Sequence, residues 1–267
     1  MFTVALQKDN VGACYPLWVV IQYIMNMYGK FAKLYDDLMR DVDYDAWAAY
    51  LRTLLPDCGQ VVDCACGTGE IALRLRKAGY AVTGIDISRE MLSIAQEKAR
   101  AAGQSIPFAC MDMRRLQLHK PVDAIVCACD GVNYLASRAD AQTFFAAAYA
   151  CLRPGGRLLF DISSRYKLST VLGCNTFAED GETEAYIWKN CYDPESKLLE
   201  MRLTFFAKEG EGYARFCETH IQRAHSQTEI LHALSGAGFT AVAYAAFTLD
   251  APQADTERIQ FAAVRPV

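Results

Sequence analysis

The chain has no excess of positive charge and no hydrophobic run long enough to cross a membrane. Its 267 residues include 27 lysines and arginines against 31 aspartates and glutamates, which gives a formal net charge of −4. The apolar stretch at residues 17–25 is too short for a bilayer span, which needs about 20 apolar residues. These absences argue against nucleic-acid binding through overall charge and against a membrane-spanning helix.

The sequence also lacks a signal-peptide pattern, an internal repeat and a low-complexity tract. Lys8 is followed at once by Asp9, and no small-residue cleavage site follows the apolar stretch. Eleven cysteines, an odd number, lie in apolar segments, which favours free thiols over a disulfide framework. We therefore predict a cytoplasmic location. Residues 1–26 are predicted to be an extension that is disordered, forms an added helix or precedes the true start at Met27.

The most informative segment is residues 61–86, which has the pattern strand, glycine turn, helix, strand. Gly67 and Gly69 follow the first apolar run, and the second strand ends at Asp86. A glycine turn lets a ligand approach the backbone, and the start of the next helix offers free N–H groups. A carboxylate at the end of the second strand can accept both hydroxyls of a ribose. The segment therefore predicts a ligand that contains a nucleoside.

Two cofactors that contain a nucleoside, NAD and S-adenosylmethionine, could fit this pattern. Residues 67–72 fit the dinucleotide fingerprint of NAD, with alanine in the last place. However, Asp63 precedes the loop, where it suits a cationic amino group better than a pyrophosphate, and Asp112 follows a third strand. Together with the turn at residues 152–158, this ordered set resembles the class I S-adenosylmethionine (SAM) dependent methyltransferases, from about Tyr28 to the C-terminus. The NAD alternative leaves both aspartates unexplained.

The resemblance implies which residues hold SAM. Asp63 would bind the amino group, Asp86 the ribose, and Asp112 the adenine amino group, although Asp112 also suits a helix N-cap. The apolar and aromatic members of the set could equally be plain core residues. The implied cofactor-binding residues are Tyr28, Tyr35, Asp63, Ala65, Gly67, Gly69, Asp86, Ile87, Met91, Asp112, Met113 and Cys129.

One position departs from the family pattern Asp-x-Gly-x-Gly-x-Gly, because Ala65 stands at its first glycine. A methyl group is tolerable there if the φ angle of Ala65 is negative. Two Cys-x-Cys pairs, at 64/66 and 127/129, end neighbouring strands and could offer thiols to zinc. A closed metal site needs ligands that converge, so we predict that these cysteines pack beside the cofactor and that no metal is bound.

The segment after the fourth strand, residues 122–129, is where the acceptor meets the methyl group in this family. The resemblance implies that Asp130, Asn133 and Tyr134 orient the acceptor or take its proton. Asp130–Gly131 is also an ordinary turn dipeptide. On a later strand, His220 is a candidate general base and Arg223 a candidate partner for an acidic acceptor, although both could be structural or exposed.

We predict an α/β fold with a Rossmann-like, seven-stranded, mostly parallel sheet, helices on both faces and an inserted antiparallel β lid. Residues 27–164 and 224–267 would form the core, and residues 165–223, with three strands, the lid. The Tyr-Asp-x-Leu-Met start at residues 35–39 resembles uncharacterised bacterial methyltransferases, and the layout is similar to sugar and glycine N-methyltransferases. The predicted function is methyl transfer from SAM to nitrogen or oxygen of a small molecule, with S-adenosylhomocysteine as product. The alternatives are a tRNA or protein acceptor, a non-catalytic SAM-binding protein and an NAD-dependent oxidoreductase.

Overall fold

The computed structural model describes residues 35–36, 39–55, 59–181 and 184–267. The chain divides into two compact units, Met1–Val42 and Asp43–Val267. In the first unit, the Met39 N–H donates to the Tyr35 carbonyl at 3.0 Å. Tyr28 and residues 1–26 lie outside the described residues, so the predictions for them stay predictions.

Seven strands form the main sheet of the second unit. They are β1 (Gln60–Cys64), β2 (Ala81–Asp86), β3 (Phe108–Cys110), β4 (Val122–Cys127), β5 (Leu152–Ser163), β10 (Thr240–Ala245) and β11 (Arg258–Val264). Their order is β10-β11-β5-β4-β1-β2-β3, and β1 to β5 are parallel to one another. β11 runs antiparallel to both of its neighbours. The fold class predicted from the sequence is confirmed.

All but one of the helices named here begin after a serine or aspartate whose side chain caps the first turn. They are α1 (Tyr44–Leu54), α2 (Glu70–Lys77), α3 (Arg89–Ala101), α4 (Arg138–Cys151) and α5 (Gln227–Gly236), with 3₁₀ turns at Met113–Arg115 and Gly131–Tyr134. The Ser88 hydroxyl accepts from the Met91 N–H and caps the start of α3. Ser226 and Glu229 form a capping box at the start of α5.

Alternation along β1 separates the two faces of the sheet. Val62 and Cys64 join a buried cluster with Phe144 and Phe145 of α4. Val61 and Asp63 point to the opposite face because successive strand residues alternate. Asp63 is thereby buried beneath the start of α2 at the carboxyl end of the parallel strands, the edge where open α/β sheets bind ligands.

A second, four-stranded antiparallel sheet follows β5 and is here called the lid. It contains β6 (Thr176–Asp180), β7 (Glu184–Asp193), β8 (Leu198–Glu209) and β9 (Gly212–Arg223), in that order. A π-helical turn at Lys167–Leu172 leads into it. The sequence predicted three of these strands and missed β6. All five β6 residues are exposed, so β6 has no alternating apolar pattern.

Candidate active site

Asp63 is a buried carboxylate that lacks a partner for one oxygen. Only 2% of the residue is exposed, and its Oδ2 has no hydrogen-bond partner in the described part of the chain. Burial, and next the charge of Asp86, raise the pKa of Asp63 to about 8, although a backbone hydrogen bond from Ala72 lowers it. A buried carboxylate in this state is poised to receive a cation.

Asp86 organises the glycine loop from the end of β2. Its Oδ2 accepts from the Gly67 N–H at 2.9 Å, and its Oδ1 accepts from the Ser88 N–H at 2.8 Å. Neither of these two bonds was expected from the sequence. Each carboxylate oxygen has a second acceptor site, so ribose hydroxyls can bind without displacing the loop.

The glycine loop is open above Gly67 and closed behind Gly69. Gly67 has a φ of +53°, and no atom lies within 4 Å of the place where a Cβ would stand. Gly69 has a φ of +83°, and a Cβ there would lie 3.0 Å from the Ala95 Cβ. The loop backbone is therefore accessible on the side that would face a ligand and packed against α3 on the other.

The φ angle of Ala65 differs from the negative value that was expected from the sequence. Its φ is +53°, in the left-handed region, whereas tolerance of the methyl group was expected to need a negative φ. A non-glycine residue in this region carries a cost of about 1–2 kcal/mol. Cys129, another predicted cofactor contact, is half-buried and also left-handed, with a φ of +59°. The loops after β1 and β4 thus both hold strained backbone at the same sheet edge.

The residues predicted to flank adenine lie beyond β2 and β3. Ile87 is 69% exposed, which is unusual for isoleucine and suits an apolar wall for a ligand. Met91 is half-buried in the first turn of α3, and Met113 packs partly against the core. Asp112 caps the 3₁₀ turn through the Arg114 N–H and pairs with the Arg114 guanidinium, which lowers its pKa. This is the N-cap role that the sequence left open.

The structure brings two predicted acceptor-side residues together. The Tyr134 hydroxyl lies 3.2 Å from Nδ1 of His220, which joins the turn after β4 to strand β9 of the lid. Desolvation of the hydroxyl raises the pKa of Tyr134, and burial lowers the pKa of His220 below its ordinary value. Both groups are therefore uncharged at neutral pH.

Asp130 belongs to an ionic network that the sequence did not reveal. Its carboxylate accepts from Gln222 Nε2 at 2.7 Å and from Arg258 Nη1 at 2.9 Å. Arg258 also pairs with Asp161, whose carboxylate accepts from the Asp130 N–H at 3.0 Å. Burial opposes the ionisation of Asp130, but Arg258 and Gln222 outweigh it and lower its pKa. A carboxylate held in this way is a poor proton acceptor, so the general-base role suggested for Asp130 has no support here.

Two other acceptor-side predictions receive structural roles instead. Asn133 is fully buried, and its amide bonds the Ser163 N–H, the Ser163 carbonyl and the Arg223 carbonyl. Its hydrogen-bonding capacity is directed into the protein, so we reassign it from acceptor contact to a bridge between β5 and the lid. Arg223 donates to the Ser196 carbonyl at 2.8 Å and lies 3.9 Å from Glu229, at the base of the lid.

The described ranges contain no candidate metal site and no candidate membrane-spanning helix. No group of three or more histidine, cysteine, aspartate or glutamate side chains is arranged there to hold a metal ion. None of the described helices combines the length and apolar character that a membrane crossing requires. Cys64 and Cys127 are buried, and burial raises the pKa of both thiols.

The amino group and the nucleoside of SAM each have complementary groups at this site. The unpartnered Asp63 oxygen suits the amino group of the methionine part, because that group is cationic. The open backbone at Gly67, the acceptor capacity of Asp86 and the exposed Ile87 suit a nucleoside along the ends of β1 and β2. The residues present therefore fit this cofactor.

Comparisons with known proteins agree with the geometry. A model of a methyltransferase domain matches residues 61–156. The chain is 40% identical to "Putative methyltransferase YqeM" of Bacillus subtilis (strain 168) over 239 residues, which cover 89% of this chain and 96% of that protein. A dTDP-3-amino-3,4,6-trideoxy-alpha-D-glucopyranose N,N-dimethyltransferase of Streptomyces venezuelae is 26% identical over 75% of this chain and 85% of its own length.

A solved structure resembles the fold over nearly its whole length. The crystal structure of an S-adenosylmethionine-dependent methyltransferase from Clostridium acetobutylicum superposes with a TM-score of 0.82 at 33% identity. The match covers 90% of this chain and 99% of that one. The prediction of SAM over NAD is confirmed. This chain belongs to the class I SAM-dependent methyltransferases.

Proposed function

We propose that the chain methylates an amine nitrogen of a small molecule beneath the lid. The observation that carries the proposal is the contact between Tyr134 and His220, which brings β9 of the lid to the turn after β4. A relative named as an amino-sugar N,N-dimethyltransferase supports the same acceptor class. The net charge of −4 supports a small acceptor over a polyanionic tRNA.

The acceptor side offers hydrogen-bond acceptors to an amine. A neutral imidazole at His220 and the Tyr134 hydroxyl can each accept an N–H bond, which leaves the nitrogen lone pair directed at the methyl group. Glu218 lies two residues before His220 and faces the same side of β9, and burial raises its pKa. We assign Glu218 to attract the amine cation and His220 to orient the neutral amine.

We infer the cofactor contacts from the burial and hydrogen bonds of the residues at this sheet edge. Asp63 would hold the amino group of SAM, Asp86 the ribose, and Ile87 and Met91 the adenine faces. Both Asp112 oxygens accept from Arg114, so Asp112 would reach the adenine amino group through the second acceptor site of one of them. When bound, SAM supplies a sulfonium methyl group with a thioether as leaving group, so the protein chiefly supplies orientation and a dry site.

A direct test incubates the full chain with SAM and a panel of amino sugars, amino acids and matched alcohols. Methylated products are identified by mass spectrometry, and released S-adenosylhomocysteine is quantified. We expect N-methylation, with a loss of about tenfold or more in kcat/KM in Tyr134→Phe and His220→Asn and little change in the Kd of SAM. Transfer only to hydroxyls, or only to tRNA or protein, would refute the proposal.

A further inference from the structure

Three polar side chains on one face of β7 carry buried atoms that have no hydrogen-bond partner in the described part of the chain. Asn190 is only 8% exposed, yet neither its Nδ2 nor its Oδ1 has a hydrogen-bond partner among the described residues. Trp188 Nε1 and the Tyr192 hydroxyl oxygen are also buried and also have no hydrogen-bond partner among the described residues. Residues 188, 190 and 192 alternate along one strand and therefore share one face. We call this set the β7 stripe.

Such a stripe is costly for the ligand-free protein. Buried polar groups are nearly always hydrogen-bonded, and each unpaired one costs about 1–3 kcal/mol. By contrast, the buried Asn133 satisfies its amide with three hydrogen bonds. Adjacent unpaired donors and acceptors on one face therefore point to a ligand that completes them.

The stripe faces the same side of the lid as the acceptor groups. Asn190 pairs in register with Met201, and Met201 pairs with His220. Residues paired across an antiparallel sheet lie on the same face, and each strand step is about 4.8 Å. Asn190 thus lies about 10 Å from His220 along one cross-strand row.

The surroundings of the stripe define its chemistry. Trp188 and Tyr192 pack against an apolar cluster that contains Leu168 and Leu172 of the π-helical turn. The stripe itself presents amide, hydroxyl and indole groups and no charge. Apolar walls with a few uncharged polar groups suit hydroxyls or amides on a ring better than a phosphate or carboxylate.

We propose that the β7 stripe is a distal acceptor subsite that binds uncharged hydroxyl or amide groups about 10 Å from the methylated atom. The acceptor is accordingly a molecule of two rings or similar length, rather than a single amino acid or short alkyl amine. This inference rests on the proposed function, because it takes the face of the lid that carries His220 as the acceptor side. Asn190 supplies both a donor and an acceptor and is the central residue of the subsite.

The test uses two amines of equal length, titrated by calorimetry into the full chain saturated with S-adenosylhomocysteine. Lactosamine carries hydroxyls on both rings, and 4-cyclohexylcyclohexylamine carries none. We expect lactosamine to bind the native chain and to lose tenfold or more in affinity in Asn190→Leu, while the apolar amine binds both equally. Failure of lactosamine to bind the native chain, or equal affinity for both forms, would overturn the subsite.

A stability comparison keeps the inference testable without turnover. Asn190→Leu removes two unpaired polar atoms and should leave the Tm of the ligand-free chain unchanged or raised. The matched variant Asn133→Leu removes satisfied hydrogen bonds and should lower the Tm by about 4 °C or more. A similar loss in Asn190→Leu would mean that its amide serves the fold, and would also overturn the subsite.

The two proposals fail in different ways. Binding of lactosamine that depends on Asn190, with no methyl transfer to any amine, would remove the proposed function and keep the subsite. Methylation of lactosamine with the same KM in the native chain and in Asn190→Leu would remove the subsite and keep the proposed function.

Discussion

Asp63 and Asp86 lie on adjacent parallel strands, and the charge of Asp86 disfavours ionisation of Asp63. Asp63 pairs in register with Gly84, two residues before Asp86, and the charge of Asp86 contributes to the raised pKa of Asp63. Asp86 is stabilised by two backbone N–H groups, whereas one Asp63 oxygen has no partner in the described part of the chain. The ligand-free protein therefore carries an electrostatic cost at Asp63 that a cation can remove.

The variant Asp63→Asn should stabilise the ligand-free protein and weaken SAM binding. The folded-state pKa of about 8 lies above the ordinary value of 3.8, so the folded state holds the extra proton between these limits. Stability from this group is complete below pH 4 and is lost as the pH rises toward 8. We expect the variant to gain about 1–3 kcal/mol over the native chain at pH 8, and little at pH 4.

Chemical denaturation at several pH values measures this difference. Glu90→Gln, at a partly exposed carboxylate on α3, serves as the surface control. An Asp63→Asn variant that is less stable than the native chain at pH 8 would contradict a strained, unpaired carboxylate.

SAM affinity should itself depend on pH through Asp63. Binding a cationic amino group requires the ionised carboxylate, so the site must release a proton below pH 8. The Kd should rise by about tenfold for each pH unit below this value. Calorimetry in buffers of different ionisation enthalpy would detect the release of about one proton at pH 7. A Kd that is constant between pH 6 and 8 would show that Asp63 does not pair with the amino group.

Replacing Ala65 by glycine should stabilise the chain. The left-handed φ of +53° costs alanine about 1–2 kcal/mol, and glycine accepts it at a smaller cost in chain entropy. We expect a net gain of about 0.5–1 kcal/mol in the free energy of unfolding. Ala78→Gly is the matched control, because Ala78 has a φ of −76° and should lose stability. Equal effects at both positions would contradict strain at Ala65.

The parts of the site that could be predicted from sequence are local. The glycine loop, Asp63 and Asp86 lie within one strand–turn–helix–strand unit, so spacing alone places them together. Ala65 shows the limit of that approach, because spacing gives no φ angle.

Contacts between distant segments could not be predicted in this way. Arg258 and Asp130 are 128 residues apart, and they meet only because β11 inserts between β5 and β10. Only Asp161 indicated this network in the sequence, because its carboxylate stands inside the apolar run of β5. A buried charge in such a run generally needs a partner, but the sequence does not say which cation supplies it.

The ion pairs of Arg258 should contribute strongly to the free energy of unfolding. Arg258 pairs with both Asp130 and the fully buried Asp161, and its guanidinium lies 5.0 Å from the centre of the Trp47 ring. Arg258→Gln would leave two carboxylates close together without a cation, so we expect a loss of about 3–5 kcal/mol at neutral pH. Both pKa values should then rise, and the loss should shrink as the pH falls toward 4, where the carboxylates take up protons.

A second substitution separates this charge effect from lost packing. Burial already raises the pKa of Asp161, which makes it the carboxylate that is easier to neutralise. Asp161→Asn placed on Arg258→Gln should therefore recover about 1–3 kcal/mol, because the remaining charge on Asp130 keeps its bond from Gln222. Denaturation of the native chain, both single variants and the double variant gives the coupling energy directly. Additive losses would mean that Arg258 stabilises the site through its packing on Trp47 and not through the two charges, because a charge network predicts strong coupling between the two positions.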